Sequence, residues 1–295
     1  MSMGDLRLSG TRITLLRLDG FPYYMSDKAK RNGQMINFYK ICCSPISCSE
    51  RYEYYEEKIP RRETMFEKMS VLLPYMPDYG PRDAALKWVK KYYQTMMPEI
   101  ELCIGVSTEK AFSRSQGMNL AAKKATRDIF VIADGDIFYN PAILIDAAKL
   151  LNQYAWVIPF HHEKIINLSE SNTKEILKSK PSWPPKVEIK NYKVEKREKD
   201  FAGKINVIHR KTYFKVGGFD ERFVGYGWED NAFQNAVSTL CGPHKRLNRK
   251  LYHLWHPPVK GKGNPHWEKN KVLGLKYREA NGNKEAMRKL LEGRI

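Results

Sequence analysis

Two aspartates separated by one glycine, Asp134 and Asp136, directly follow the apolar run 129–133. Carboxylates this close raise the cost of each other's negative charge unless a cation lies beside them. Carboxylate oxygens suit Mg²⁺ or Mn²⁺, and Mg²⁺ typically keeps coordination positions for substrate phosphates. A turn closed by aspartate side chains is the structural alternative for such a triplet. The spacing therefore predicts either a divalent metal site or a capped turn.

A second acidic pair, Glu229 and Asp230, follows Trp228 at the end of the glycine-containing stretch GGFDERFVGYGWED, residues 217–230. Acids in the first turn of a helix are stabilised by the helix dipole, which is the structural interpretation. The functional interpretation is a carboxylate in a glycine-lined pocket beside an indole ring, which suits a general base.

The two acidic pairs are about a hundred residues apart, so only the fold can bring them together. The sequence between and around them predicts alternating strands and helices. The predicted strands are 69–75, 100–106, 128–134, 155–160 and 205–210, and the predicted helices are 81–97, 112–126 and 141–154. Such alternation is typical of an α/β fold with a mostly parallel central sheet covered by helices on both faces. Ligands bind beyond the carboxyl ends of the strands in such sheets, and Asp134 and Asp136 lie at one of these ends.

The chain divides by pattern into three parts. Residues 1–67 form an N-terminal extension of unknown role, with one predicted strand at 11–17. Residues 68–260 carry the α/β pattern, interrupted by a long polar excursion at 161–200 that we expect to cross the active face. Residues 261–295 form a basic tail with predicted helices at 268–280 and 283–293.

Charge is the most distinctive compositional feature, since the net charge is +18 and residues 241–295 hold 14 Lys/Arg against 4 Asp/Glu. This balance favours a polyanionic partner such as DNA, an acidic glycan or an anionic membrane surface, and a solvated lysine-rich surface is the alternative. The sequence has no apolar run of membrane-spanning length, so we expect no integral membrane association. Five cysteines, an odd number, favour a reducing compartment, and we expect the cytoplasm.

The order of these motifs resembles the GT-A (Rossmann-like) glycosyltransferases, in particular the family 2 and β-1,4-galactosyltransferase-like types. The resemblance covers residues 68–260 and rests on FSRSQGMNLAAKKATRDIFVIADGD, then GGFDERFVGYGWED, then HLWHPP. It implies a Mn²⁺- or Mg²⁺-dependent enzyme that moves a sugar from a nucleotide sugar, expected to be a UDP-sugar, to an acceptor hydroxyl.

The resemblance also implies which residues bind the nucleotide. Pro74 and Tyr75 fall where the uracil and ribose pack, and Arg114 and Asn119 help to hold the nucleotide. Asp134 contacts the ribose side of the donor and belongs to the expected metal site.

The remaining implied roles concern the metal. Asp136 is its principal carboxylate ligand, and a histidine after the last core strand, His256 or His253, completes the site. We prefer His256, because Pro257 and Pro258 restrict its backbone.

For catalysis, the resemblance makes Asp230 the base, Glu229 a contact to the donor sugar or acceptor, and Trp228 a platform for a ring. Retaining relatives carry asparagine where Asp230 stands, so an aspartate favours inversion. The chain departs from family 2 at 104–107, Ile-Gly-Val-Ser, where acids that read the base are usual, so base recognition is expected elsewhere.

Two acceptor classes remain open. One is a surface polysaccharide or other glycan, and the other is a hydroxymethylated pyrimidine in the DNA of a bacteriophage. The second would use the basic charge on phosphates and aromatic rings against a flipped base. The aromatic residues interleaved with basic ones are Trp183, Tyr192, Trp267 and Tyr277.

A different class of function is a non-catalytic nucleic-acid-binding protein on a degenerate transferase fold. The complete set of Asp134, Asp136, Asp230 and His256 argues against it.

Overall fold

A computed structural model divides the chain into two units, Met1–Arg62 and Glu63–Ile295. The structure describes residues 3–8, 11–16, 23–31, 34–42, 64–108, 111–198, 201–225, 227–258 and 263–294, and in the first four ranges only the backbone.

The described part of the first unit is an antiparallel sheet of four strands in chain order. The strands are β1 (Met3–Leu8), β2 (Thr11–Leu16), β3 (Tyr23–Arg31) and β4 (Gln34–Cys42). β2 confirms the predicted strand at 11–17, whereas β3 and β4 were not predicted. Arg31 pairs with Gln34 across the β3–β4 hairpin, and the two intervening residues are Asn32 and Gly33. Asn-Gly is the pair most typical of a two-residue hairpin loop, so a signal for these strands was present.

A six-stranded central sheet organises the second unit. Its strands in spatial order are β13 (His244–Arg246), β9 (Trp156–Ile158), β12 (Ile205–His209), β7 (Ile129–Ala133), β5 (Met69–Tyr75) and β6 (Glu101–Val106). β12 runs antiparallel to both of its neighbours, and the other pairings are parallel. The prediction of an α/β fold with a mostly parallel sheet is therefore confirmed.

The helices predicted from the sequence accompany this sheet as α1 (Pro81–Met96), α2 (Arg114–Lys124), α3 (Ala142–Leu150) and α6 (Glu229–Leu240). Two further helices, α4 (Glu170–Lys178) and α5 (Arg210–Lys215), were not predicted. α1 begins with proline, whose missing N–H costs nothing at a helix start, and it buries Leu86, Val89 and Tyr93 as expected. Ser113 caps α2 by accepting a hydrogen bond from the backbone N–H of Gln116.

The segment 161–200 contains more regular structure than its polar sequence predicts. It holds β10 (Ile165–Leu168), α4 and β11 (Tyr192–Glu195). β10 pairs with β11 and β14 (Leu251–His253), and β14 pairs with β8 (Ile137–Phe138), which gives a second sheet of four strands. The expectation of an irregular excursion is wrong here, because backbone pairing between segments far apart in sequence stabilises these short strands.

Two C-terminal helices, α7 (Trp267–Glu279) and α8 (Lys284–Glu292), confirm the predicted helices of the tail. Asn283 caps α8 with its side chain, and both helices pack on α6 and not only on each other. None of the helices in the described part of the chain combines the length and the apolar character that crossing a bilayer requires.

Candidate active site

Close packing of α2 on the central sheet places the first side chain of the site. A Cβ atom on Gly105 in β6 would lie 1.8 Å from the carbonyl oxygen of Gly117 in α2, and one on Gly117 would lie 2.9 Å from Pro74. Only glycine at these positions allows helix and strand to approach so closely. The N-terminus of α2, and with it Arg114, is thereby held at the carboxyl ends of β5 and β7.

Arg114 joins the two acidic motifs that lie far apart in the sequence. Its Nε and Nη2 atoms are 3.1 and 3.0 Å from Oδ1 of Asp134, and its Nη1 atom is 2.5 Å from Oδ1 of Asp230. The guanidinium group is buried, and because both aspartates offset that burial, the pKa of Arg114 is raised above its usual value. The predicted acids therefore share one cation.

A carboxylate and two histidines form a separate cluster beside this network. Nε2 of His253 lies 3.4 Å from Oδ1 of Asp136, and Nε2 of His256 lies 3.2 Å from Oδ2. The second sheet is responsible, because His253 in β14 is paired with Ile137 in β8, the residue after Asp136. Nδ1 of His253 is 2.9 Å from Oδ1 of Asn167. Hydrogen bonds of this kind commonly orient the histidine rings that bind metals.

This cluster fits a divalent cation. One potential ligand atom from each of Asp136, His253 and His256 lies within 4.8 Å of the other two. Oδ1 of Asp136 is buried and accepts no hydrogen bond of normal geometry from the described residues. Burial raises the pKa of Asp136, but the histidines and Lys204 outweigh it and hold the pKa well below its usual value. A buried, ionised oxygen with two imidazole neighbours is a donor set that suits Mn²⁺ among other divalent ions.

The structure thus places both candidate histidines beside Asp136, so the choice between His253 and His256 is not needed. Asp134 lies outside this three-residue cluster, because its oxygens face Arg114 and Lys204 instead.

Glu229 and Asp230 begin α6, as the sequence predicts, and both carboxyl groups are driven towards the protonated form. Burial, followed by the charge of Asp230, raises the pKa of Glu229 to about 7, against the opposing effect of Arg114. Burial also raises the pKa of Asp230, and Arg114 again opposes the shift. Glu229 accepts a hydrogen bond of 3.0 Å from the backbone N–H of Gly227, so it supports the loop that precedes it.

Because the pKa of Glu229 is raised from 4.5 in the folded state, we predict a pH-dependent stability effect for Glu229→Gln. The folded protein binds this proton more tightly than the unfolded chain, so the contribution is present below the unfolded pKa and is lost as pH rises through about 7. Glutamine cannot ionise and still accepts the bond from Gly227. The variant should melt roughly 2–8 °C above the wild type near pH 8 and close to it near pH 5. Thermal melts across this range test the prediction, and a constant difference at every pH would contradict it.

The residues expected to hold the nucleotide lie in different places. Pro74 and Tyr75 end β5, and the Tyr75 hydroxyl donates a hydrogen bond of 3.0 Å to Asp83. Asn119 instead fastens the glycine-containing loop. Its amide nitrogen donates to the carbonyl of Phe219, and its oxygen accepts from the Tyr213 hydroxyl and from the Phe219 N–H. The structure therefore does not bring Asn119 to the acidic cluster.

Trp228 also faces away from the acids and towards the C-terminal helices. A Cβ atom on Gly274 in α7 would lie 2.5 Å from the Trp228 ring, and the ring centroids of Trp228 and Trp267 are 6.5 Å apart. The neighbouring loop is held by the same segment, since Asn264 and Asn270 donate hydrogen bonds to the carbonyl of Val224. The tail thus forms one wall of the loop that presents Glu229 and Asp230.

Most of the aromatic residues considered for base stacking pack against other side chains of the protein. Tyr277 is fully buried, so the expectation that it forms part of an aromatic surface is wrong. Trp183 contacts Tyr252 edge-on, and Trp267 packs near Trp228. Only Tyr192 among the four is a large exposed ring, with 51% of its surface accessible.

One residue of the site was missed by sequence reasoning. Nζ of Lys204 lies 3.8 Å from Oδ2 of Asp134 and 3.2 Å from Nε2 of His253. The available signal was a lysine between a glycine and the predicted strand 205–210, but lysines at strand ends are common in so basic a chain.

The chain thus combines an α/β sheet with polar side chains gathered at the carboxyl ends of its strands, where sheets of this kind bind their ligands. Residues 42–246 match the model of the family described as glycosyltransferase like family 2. The chain belongs to this family, and it is a glycosyltransferase. No curated protein sequence is significantly similar to the chain.

Several solved structures are similar to part of this chain at low sequence identity. A Drosophila β1,4-galactosyltransferase 7 mutant in complex with manganese, UDP-Gal and xylobiose is 14% identical, with a TM-score of 0.43 over 64% of this chain and 71% of that one. A mannosyltransferase from Pyrobaculum calidifontis in complex with GDP-Man and Mn²⁺ is 13% identical, with a TM-score of 0.44 over 76% and 68%. TarS residues 1–349 from S. aureus in complex with UDP-GlcNAc is 14% identical, with a TM-score of 0.45 over 76% and 70%.

Proposed function

We propose that the protein transfers a sugar from a nucleotide sugar to an acceptor hydroxyl, with a divalent metal and with inversion at the anomeric carbon. The observation that carries this proposal is the Asp136–His253–His256 cluster beside the Arg114-bridged pair of Asp134 and Asp230. A candidate site for a cation and a candidate base thus lie at the carboxyl ends of the strands, where α/β sheets bind their ligands.

The cation would be held by Asp136, His253 and His256. When bound, Mn²⁺ or Mg²⁺ supplies positive charge to the diphosphate, which makes the nucleotide a better leaving group.

The chain's own residues account for the rest of the reaction. Asp134, positioned by Arg114, would contact the ribose, and Pro74 and Tyr75 at the end of β5 would pack against the nucleoside, expected to be uridine. Asp230 would accept the proton of the acceptor hydroxyl as its oxygen attacks the anomeric carbon. Arg114 occupies Oδ1 of Asp230, so Oδ2 is the oxygen that we assign to this proton.

We infer a single displacement. One carboxylate acts as base, the attacking oxygen and the diphosphate lie on opposite faces of the sugar, and the configuration inverts. Glu229 would contact the donor sugar or the acceptor, since it lies at the start of α6 beside Asp230.

For the acceptor we propose two classes, a glycan and a hydroxymethylated pyrimidine in DNA. The net charge of +18 supports a polyanion, either DNA or an acidic glycan. The buried position of Tyr277 removes part of the aromatic support for DNA. A reducing, cytoplasmic location in a bacterium or phage-infected cell is supported by the odd number of cysteines, and Cys103 and Cys241 are free thiols.

The test is turnover of UDP- and GDP-sugars with Mn²⁺ or with EDTA, followed by transfer to a hydroxymethylpyrimidine duplex and to unmodified DNA. Metal-dependent release of the nucleoside diphosphate supports the enzymatic proposal, and its absence with every donor overturns it. Transfer to the modified duplex, with affinity that falls steeply as salt rises, selects DNA. Donor hydrolysis without DNA binding at low salt selects a glycan.

A further inference from the structure

Lys204 lies at the boundary between the two halves of the site. It directly precedes β12, and its carbonyl oxygen accepts a hydrogen bond of 2.9 Å from the backbone N–H of Asp134. Its side chain is only 16% exposed, and its ammonium group reaches Asp134 on one side and His253 on the other. A cation is therefore held between the expected ribose contact and the expected metal site.

The backbone of Lys204 favours glycine and not lysine. Its φ angle is +77°, in the left-handed region that L-residues with side chains adopt only at a cost. The preceding residue is glycine for a visible reason, because a Cβ on Gly203 would lie 2.9 Å from Oδ2 of Asp230. Nothing comparable among the described residues requires a lysine for the fold. Strain of this kind persists only where the surrounding structure holds the residue in place, and it is frequent at active sites and ligand-binding sites.

The contacts of the ammonium group are poor as structural interactions. Oδ2 of Asp134 is 3.8 Å away, and Oδ1 of the same residue already faces two nitrogens of Arg114. The nearer partner is Nε2 of His253, which is also the ring atom that faces Asp136. One lone pair cannot bind both a metal ion and an N–H, so with a cation at His253 the ammonium must find another acceptor.

Charge indicates what that acceptor is. Asp134, Asp136, Glu229 and Asp230 surround the site, and apart from the two histidines at Asp136 the cationic side chains that act on these acids among the described residues are Arg114 and Lys204. Arg114 is committed to two carboxylates. A diphosphate that extends from a ribose at Asp134 to a metal at Asp136 would pass the ammonium group of Lys204. A lysine ammonium is a compact point charge that suits phosphate oxygens.

We propose that Lys204 is a catalytic residue that binds the leaving diphosphate of the donor. The acceptor oxygen loses its proton to Asp230 and forms a bond to the anomeric carbon. The bond from that carbon to the β-phosphate oxygen breaks, and its electron pair stays on this oxygen. The ammonium of Lys204 donates a hydrogen bond to the departing diphosphate and keeps its proton. This inference rests on the proposed function.

The test uses Lys204→Gly, Lys204→Arg and, as a control for loss of one surface charge, Lys149→Met on the exposed side of α3. Removing the left-handed strain should raise the melting temperature of Lys204→Gly by a few degrees. The same variant should bind UDP about 10-fold more weakly with Mn²⁺ and lose about 10²-fold in kcat, because a charge-assisted bond to the leaving group is gone. Affinity for uridine should not change, and Lys204→Arg should recover part of the UDP affinity.

A structural role for Lys204 predicts the opposite pattern, in which stability and activity fall together. Binding of UDP by Lys204→Gly with wild-type affinity, or wild-type kcat, would overturn the inference while the proposed function stands. If the wild type neither binds UDP or GDP with Mn²⁺ nor hydrolyses their sugars, the proposed function fails and the inference fails with it. The proposal is supported if Lys149→Met keeps the wild-type UDP affinity and kcat while Lys204→Gly has a higher melting temperature and a lower kcat.

Discussion

Asp230→Asn is expected to bind the donor normally and to lose transfer. Asparagine keeps the shape of the side chain, and its oxygen can still accept the bond of 2.5 Å from Arg114. It cannot take up a proton, so the acceptor hydroxyl must attack without a base. Loss of a positioned general base typically costs about 10²–10⁴-fold in rate, and we expect kcat to fall within that range. Donor affinity, measured by calorimetry with Mn²⁺, should stay within about 3-fold, because the base acts on the acceptor proton only in the transition state.

Two comparisons keep this prediction specific. Asp146→Asn removes a carboxylate that pairs with Arg249 on the surface, and it should leave both kcat and donor affinity unchanged. In the wild type, kcat should fall on the acid side as Asp230 becomes protonated, at a pH above the usual range for aspartate because burial raises this pKa. Wild-type turnover by Asp230→Asn would remove Asp230 as the base.

The central α/β pattern was predictable from the sequence because it depends on local periodicity. Apolar runs at β5 and β7 are buried on both faces and read as continuous strands, and α1 carries a helical apolar face. Proline and serine mark the first turns of α1 and α2. Each of these signals acts within a few residues, so no knowledge of the tertiary structure is needed.

The second sheet was not predictable in the same way. β8 and β14 have only two and three residues, and their apolar pattern is too short to identify a strand. They exist because Tyr252 and His253 pair with Phe138 and Ile137 across more than a hundred residues of sequence. This pairing is what brings His253 to Asp136, so the sequence indicated a histidine near Asp136 but not that both histidines would lie there.

The surroundings of the candidate side chains were predictable only in part. Asp136 and Asp230 were identified because each belongs to a pair of neighbouring acids, whose negative charges repel each other unless a cation lies nearby. Asn119 and Trp228 were assigned to the donor, but their contacts are with Phe219 and with Gly274. Whether a polar or aromatic side chain faces a ligand or a neighbouring loop depends on tertiary packing.

Asp136→Ala is expected to abolish metal-dependent donor binding while the fold survives. The substitution removes the carboxylate that both His253 and His256 face, and two imidazoles alone form a weaker and less charged site. We expect Mn²⁺ affinity, measured by calorimetry or by electron paramagnetic resonance of free Mn²⁺, to fall by on the order of 10²-fold or more. Asn167→Ala, which removes the partner of His253 Nδ1 together with a hydrogen bond of 3.0 Å to Glu195, should give a smaller loss, about 10-fold.

A second group of potential ligands in the described part of the chain supplies the matched control. His161, His162 and Glu163 also lie close enough to hold an ion, but they are adjacent in sequence and partly exposed. His161→Ala should leave the Mn²⁺ dependence of donor binding unchanged if Asp136 holds the functional metal. If Asp136→Ala and the wild type bind the donor equally well with Mn²⁺, the assignment of the metal site to Asp136 is contradicted. If His161→Ala instead loses the Mn²⁺ dependence of donor binding, the functional metal site belongs to the second group. Asp136 differs from this second group because its Oδ1 atom is buried without a hydrogen bond of normal geometry and its carboxylate faces histidines from a distant segment of the chain.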